Sequence, residues 1–452
     1  MTVGQGAGSR PSVQRDYSSV DVRPVIATRA LPGLLILLLA PPPAVASAMD
    51  YRLEATLSAG VTDNALAVPA GEPGAHADVF VLGRAGAALL FNLPNAEHRL
   101  AYALSAQGQR RETTGRMLAH ALSWHMLATP TDSLHYNAGV EARYTSTASI
   151  ETLLPQAAPP PSVAPSGTAV PPAMSSTQPG APLTFLTGVA GSSMAYVWPE
   201  WRLDAGLTGR ALIPRVPAHG PPRGLDAEAQ LGFARTGILY QVGLMGHAGY
   251  SRTAELRMGD MLLVTAHDSR RADAVVAWHQ EITRVLASQL EAGALAVRIL
   301  GRTVVEPSGR AVLTWREGRD EVRLLAGRSA APNLLVGETL LTDQAALAAA
   351  VRWGRWNRML LSGQLGYEHN RIVSGTGPNA AANVLTGRAS LAYDTERGVV
   401  FALEGGYTDQ RATGPRPEPG QYRPLVSFRR TVVMLTVEFQ YPNVPQTDRE
   451  IP

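Results

Sequence analysis

Tyr51-Arg52-Leu53-Glu54-Ala55-Thr56-Leu57-Ser58-Ala59-Gly60-Val61-Thr62 is the stretch on which the fold turns. In an extended chain Tyr51, Leu53, Ala55, Leu57, Ala59 and Val61 fall on one face. Arg52, Glu54, Thr56, Ser58 and Thr62 fall on the other. A period of two means a strand with unlike faces, because a helix cannot gather alternate residues into one apolar stripe. The split recurs at 132–147, where Leu134, Tyr136, Ala138, Val140, Ala142 and Tyr144 oppose His135, Asn137, Glu141, Arg143 and Thr145. At 201–213 Trp201, Leu203, Ala205 and Leu207 oppose Arg202, Asp204, Thr208 and Arg210. At 383–394 Leu385, Ala389, Leu391 and Tyr393 oppose Thr386, Arg388, Ser390 and Asp394.

Working outward, about 18 such segments follow one another. They cover approximately 50–63, 77–93, 97–111, 116–128, 132–147, 183–198, 201–213, 225–235, 237–251, 265–280, 285–300, 308–317, 320–330, 342–353, 357–370, 383–394, 398–409 and 428–441. Met261 to Ala266 is either a separate strand, which would break the even count, or the start of one long bulged strand. Short connections such as Pro94-Asn95-Ala96, Pro199-Glu200 and Gly318-Arg319 alternate with mostly longer loops at 64–76, 148–182, 214–224, 252–264, 331–341, 371–382 and 410–427. This pattern predicts an all-β fold, an antiparallel transmembrane β-barrel spanning residues 49–441. Short turns and both termini would lie on the periplasmic side, long loops outside.

Composition agrees. Charged residues make up only 17 %, cysteine is absent, and all 40 basic side chains are arginine. Without cysteine there is neither a disulfide framework nor a thiolate metal site. The arginines are scattered rather than clustered on one basic face, which argues against nucleic acid as a partner. Residues 1–48 read as a signal peptide. Arg23 and Arg29 precede the apolar run Leu34 to Ala40, and Ala46-Ser47-Ala48 offers small residues for cleavage before Met49. The polar stretch 1–22 is long for such a segment, which suggests a translation start downstream of Met1. No later apolar run is long enough to span a bilayer as a helix.

The tryptophans test the orientation. Trp124, Trp198, Trp201, Trp278, Trp315, Trp353 and Trp356 all fall near short turns, whereas Tyr144, Tyr250, Tyr367 and Tyr407 sit toward the long loops. Amphipathic rings favour the two membrane–water interfaces.

In the last segment Val433, Leu435, Val437, Phe439 and Tyr441 share one face. This resembles the C-terminal assembly signal of Gram-negative outer-membrane proteins and implies the barrel-assembly machinery as a partner. The usual signal ends the chain, whereas here Pro442 to Pro452 follow as a periplasmic tail. An Ala-, Gly- and Arg-rich barrel of this size, over residues 49–441, also resembles the 18-stranded porins that accompany exopolysaccharide export in fruiting, predatory Gram-negative bacteria. That resemblance implies a pore for a secreted polysaccharide and a periplasmic polysaccharide-export protein as partner. Outer-membrane lipid and lipopolysaccharide are the partners expected of any such barrel. Two other classes remain: a diffusion porin for small solutes, and a structural or adhesive barrel. Strands begin close to the expected cleavage site and leave no room for a plug domain, which argues against a TonB-dependent transporter.

The chemistry-bearing residues do not form an enzyme site. His120 and His125 share a strand but point to opposite faces. His135 and Glu141 face one way yet lie roughly 20 Å apart along their strand. There is no zinc-protease or serine-hydrolase motif, and Gly4-Gln5-Gly6-Ala7-Gly8 lies ahead of the signal with no strand before it. No catalytic, cofactor or metal residue is expected. The expected working surface is the inner face. Candidates to line it are Arg52, Glu54, Arg99, Gln107, Arg111, Glu141, Arg143, Arg202, Asp204, Arg210, Gln364, Arg388, Asp394, Glu404 and Glu438. Both signs are mixed, which suits neutral or hydroxyl-rich solutes better than a single-sign ring would. The alternative is that these charges pair across the lumen. The Pro-, Ala- and Ser-rich segment 148–182 is expected to be a solvated external loop or one that dips into the lumen.

Overall fold

The alternation read from Tyr51 onward becomes a ladder in which every second side chain points the same way. The computed structural model describes residues 48–67, 70–71, 75–112, 116–146, 184–215, 223–258, 261–264, 266–334, 337–354, 358–373, 380–395, 397–413 and 427–441. Expectations about the signal peptide before Ala48, the segment 148–182, Trp356 and the tail after Tyr441 lie outside these residues. The strands are β1 (Ala48–Thr62), β2 (Asp78–Leu93), β3 (Ala96–Gln109), β4 (Met117–Thr131), β5 (Leu134–Ser146), β6 (Thr184–Val197), β7 (Trp201–Pro214), β8 (Gly224–Thr236), β9 (Tyr240–Thr253), β10 (Leu256–Met258), β11 (Met261–Val264), β12 (His267–Glu281), β13 (Leu286–Ile299), β14 (Arg302–Glu317), β15 (Asp320–Asn333), β16 (Glu338–Trp353), β17 (Met359–Ile372), β18 (Ala381–Asp394), β19 (Val399–Thr413) and β20 (Phe428–Tyr441).

Eighteen of these close one antiparallel barrel in chain order. β20 returns to β1 with Leu53 opposite Tyr441 and Thr62 opposite Val432. Met261–Val264 is a strand of its own, but it pairs with Leu256–Met258 in a separate two-stranded sheet. β9 and β12 pair directly past it, so the even barrel count survives.

The register puts the apolar set outside. Leu53 of β1 faces outward opposite Ala87 and Tyr441, while Arg52, Glu54 and Ser58 face inward. Leu231, Leu244 and Leu435 are each at least 60 % exposed. Such a surface would aggregate in water, whereas in lipid it is what keeps a barrel in place, so this is the fold of an integral outer-membrane β-barrel. Trp124, Trp201, Trp278, Trp315 and Trp353 all occupy outward positions toward the short-turn rim. Val433, Leu435, Val437, Phe439 and Tyr441 are likewise outward and partly exposed.

The apolar clusters inside the barrel sit at the opposite, long-loop rim. Leu295, Val297, Ile299 and Leu341 form one, Phe185 and Leu212 with Leu334 another, and Leu340, Ile372 and Ala382 a third. They arise because the wall parts there. The β14–β15 ladder begins only at Gly309 opposite Arg328, whereas β15–β16 pairing runs on to Asn333 opposite Glu338. The residues beyond Arg328 and before Asp343 therefore form an arm that is free of β14 but stays paired to β17 through Leu340, Leu341 and Thr342. Pro307 and Pro332 lie on the two edges this exposes, where a residue without an N–H leaves no ladder bond broken. Two expectations change accordingly. Ala331 to Asn333 continue β15 and Glu338 to Leu341 belong to β16 rather than to an open loop, and β14 starts at Arg302, joined to β13 by a tight turn with Leu300 and Gly301 at positive φ.

Candidate functional site

The arm folds into the mouth of the barrel. Leu334, at its tip, packs against the inward Phe185 and Leu212 of β6 and β7. The Gly337 carbonyl accepts from Thr253 Oγ1 of β9 at 3.1 Å. Thr339 Oγ1 lies 2.8 Å from Ser269 Oγ of β12, which is 2.7 Å from Ser251 Oγ of β9. His267 Nε2 lies 3.7 Å from a Glu338 carboxylate oxygen. Leu341 meets Leu295, Val297 and Ile299 of β13. An arm rooted in β15 and β16 thus reaches the inner faces of β6, β7, β9, β12 and β13, across a large part of the mouth. Its root is held by Arg328, which pairs with Asp343 and, at 3.5 Å, with Glu306; Arg371 binds Glu306 at 2.6 Å.

A second segment turns inward on the other side. Ala65 and Ala67 are buried, and the Ala65 carbonyl accepts from Gln109 Nε2 of β3 and Arg430 Nη2 of β20, each at 3.3 Å. Arg430 Nε also donates to Thr62 Oγ1 at 3.3 Å.

Below the arm the inner face carries charge in two settings. Arg271 of β12 crosses β9 to reach β8, donating to Asp226 at 2.8 Å and Glu228 at 2.6 Å. The crossing needs Gly249: a Cβ there would stand 2.5 Å from the Arg271 Cζ. Beside it His247 Nδ1 and Asp273 Oδ1 are 2.5 Å apart. On β14–β15 the setting differs. Arg316 is held by Glu321 at 2.8 Å, but among the described residues neither Arg310 nor Arg323 forms an ion pair, and the Nε of each has no hydrogen-bond partner. Glu291 stands opposite Arg310 in the ladder, yet its carboxylate takes a bond from Gln289 at 2.7 Å.

The expected lining residues fall as follows. Arg52, Glu54, Arg99, Gln107, Glu141, Arg143, Arg202, Asp204, Arg210, Gln364, Arg388, Asp394, Glu404 and Glu438 occupy inward register positions. Arg111 does not, because β3 ends at Gln109. Arg111 sits at the rim, its backbone N–H donating to Asp78. Four of these acids each pair with a neighbour along the wall rather than across the lumen. Glu54 holds Arg84 at 3.4 Å, Glu141 holds Arg143 at 3.0 Å, Asp204 holds Arg202 at 2.9 Å, and Glu404 holds Arg388 at 2.7 Å. Among the described residues, the arm brings Glu338 across the mouth to within 3.7 Å of His267.

The sequence reading did not single out Asp226, Glu228, Arg271, His247, Asp273, Arg310 or Arg323. Period-two alternation in Asp226-Ala227-Glu228-Ala229-Gln230 carried the signal for the first two. His120 and His125 do point oppositely. His120 faces outward, its Nδ1 2.8 Å from Tyr102 Oη, and His125 faces inward opposite Arg99. Among the described residues, no group of three His, Asp or Glu side chains is placed to hold a metal ion.

No protein-family model matches the chain, and no curated protein sequence matches it. Among solved structures it is similar to the OccK2 (OpdF) protein of Pseudomonas aeruginosa, at 10 % identity over 87 % of this chain and 98 % of that one, with a TM-score of 0.43. It is similar to the alcaligin outer-membrane receptor FauA of Bordetella pertussis, at 12 % identity over 87 % and 76 %, TM-score 0.39. A loop-deletion form of OmpT, an outer-membrane protein of Vibrio cholerae, matches at 11 % identity over 88 % and 100 %, TM-score 0.36. The strand count and closure given above rest on this chain's own pairing.

Proposed function

We propose that the chain is an outer-membrane channel whose outer mouth is narrowed by the β15–β16 arm and whose cargo is a hydroxyl-rich solute, a secreted polysaccharide in particular. The observation that carries the channel reading is the pairing pattern. Glu141, Asp204 and Glu404 bind arginines along the wall and not across the lumen, which supports an axis left to water, as a barrel of this strand number allows. Amides and arginines on the inner face below the arm, Gln364 and Arg210 among them, offer hydrogen-bond partners to sugars. Arg310 and Arg323 bias that pathway toward solutes bearing carboxylates. The export reading brings a periplasmic export protein as its partner and needs the short-turn rim to face the periplasm.

The test is ionic current through the refolded protein in a planar bilayer, with soluble acidic and neutral oligosaccharides added from either side. The proposal expects a stable conductance, blocked at lower concentration by the acidic sugars. A folded barrel with no conductance would instead establish a structural or adhesive role. Conductance without sugar block, together with unchanged polysaccharide secretion in a deletion strain, would leave a diffusion porin for small solutes.

A further inference from the structure

Three neighbouring strands carry an arginine at the same height on the lipid side. Arg252 of β9, Arg270 of β12 and Arg298 of β13 are all outward and exposed. Arg270 stands directly opposite Arg298 in the ladder, and Asp268 opposite Arg252. They border a polar cavity of about 480 Å3 that also includes Gly301 of the β13–β14 turn. The acid within it is Asp268, which lies 3.8 Å from Arg252 Nε. Among the described residues Arg270 and Arg298 make no ion pair.

Their height is set by the strand. Trp278, in the short-turn girdle, and Arg270 are both outward on β12, eight residues apart. That is roughly 27 Å along a strand, or about 20 Å along the membrane normal at a tilt near 40°. The arginines therefore emerge at the interface on the long-loop side, where a guanidinium without an acid of its own, as at Arg270 and Arg298, meets lipid headgroups.

Beneath them a groove of about 1000 Å3 runs over the outer wall. Its floor follows one register line: Trp124, Val140, Ala190, Gly209, Ala227, Tyr250 and Arg270 are successive cross-strand partners. With strands tilted, such a line climbs diagonally from one interface to the other, and small side chains at Ala190, Gly209 and Ala227 make it a slot. An arginine cluster at the top of an apolar slot matches an amphiphile with a phosphorylated head and several acyl chains.

We propose that Arg252, Arg270 and Arg298 form a binding site for the phosphate groups of an outer-leaflet glycolipid, with one acyl chain lying in the Ala190–Gly209–Ala227 groove. The site lies on the outside of the barrel and is independent of any cargo, but it rests on the barrel being embedded in a membrane.

The experiment uses the full refolded chain in phosphatidylcholine nanodiscs, with bisphosphorylated lipid A, dephosphorylated lipid A or inorganic phosphate as probe. The readouts are lipid retained on re-purification and the shift in thermal unfolding. The wild type should retain bisphosphorylated lipid A and gain thermal stability, and dephosphorylated lipid A should be retained at least tenfold less. Arg252→Gln/Arg270→Gln/Arg298→Gln should lose the retention, and Arg→Lys at the same positions should keep part of it. Arg235→Gln, an outward arginine beside Trp201 at the other rim, should behave as wild type. If the triple Gln variant does not fold, Arg298→Gln alone should still weaken retention. Equal retention by wild type and triple variant would overturn the site, as would full competition by millimolar inorganic phosphate. Failure of the wild type to insert into phosphatidylcholine at all would overturn the membrane reading itself, a result distinct from insertion without lipid A retention.

Discussion

Arg271 and Arg323 both point into the barrel, yet they are held in opposite ways. Arg271, under the arm, is clamped by two carboxylates and lies across a glycine cut to its shape. Arg323, on the open wall of β15, shares its surroundings with Arg310 and among the described residues pairs with no acid. The difference teaches which charges build the mouth and which are left to meet a solute. A buried, fully paired guanidinium contributes little net stability by being there but costs much when removed. One set beside a like charge with no acid to hold it contributes little to stability and a good deal to the potential a passing ion feels.

The largest expected effect comes from breaking the first setting. Arg271→Met would leave Asp226 and Glu228 buried without a counter-charge, and about 3–5 kcal/mol of unfolding stability should be lost, measured by urea titration of the refolded protein. Equal stability would mean that the mouth is not held by this triad. Gly249→Val should act in the same direction by displacing Arg271 from its path, with a loss of more than about 1 kcal/mol read in the same titration. Thr339→Val takes from Ser269 its bond to the arm but leaves it Ser251, so the loss should be near 1 kcal/mol. The smallest change in stability, within about 0.5 kcal/mol, is expected for Arg310→Gln/Arg323→Gln. Its effect should appear in the reversal potential under a salt gradient, which should move toward cation preference. An unmoved reversal potential would place both arginines outside the conducting path and erase the contrast with Arg271.

The barrel was legible because each lipid-facing strand must repeat the same period-two rule, and Tyr51 to Thr62 states it in full. The arm was less so. Arg328-Ser329-Ala330-Ala331-Pro332 and Thr339-Leu340-Leu341-Thr342 lose the alternation, because both faces of the hairpin are covered inside the barrel. A loop reading followed from Pro332 and Gly337, whereas apolar residues on both faces were the available sign of burial on two sides. Pairing of the inner charges was beyond the sequence, since Arg271 reaches past β9 to β8 and no local spacing encodes that step. The even strand count held because, among the described residues, Met261–Val264 pairs with Leu256–Met258 and not with the barrel, a partner that periodicity cannot choose.

The most direct test is the single-channel conductance of the full chain against a form in which residues 329–342 are replaced by an Asn-Gly turn joining Arg328 to Asp343. Both must first be shown to fold, by circular dichroism and heat-dependent gel mobility. If the arm narrows the mouth, the shortened form conducts severalfold more current with the barrel intact. Equal conductance from two folded barrels would contradict the account, because the arm would then lie outside the path of the ions.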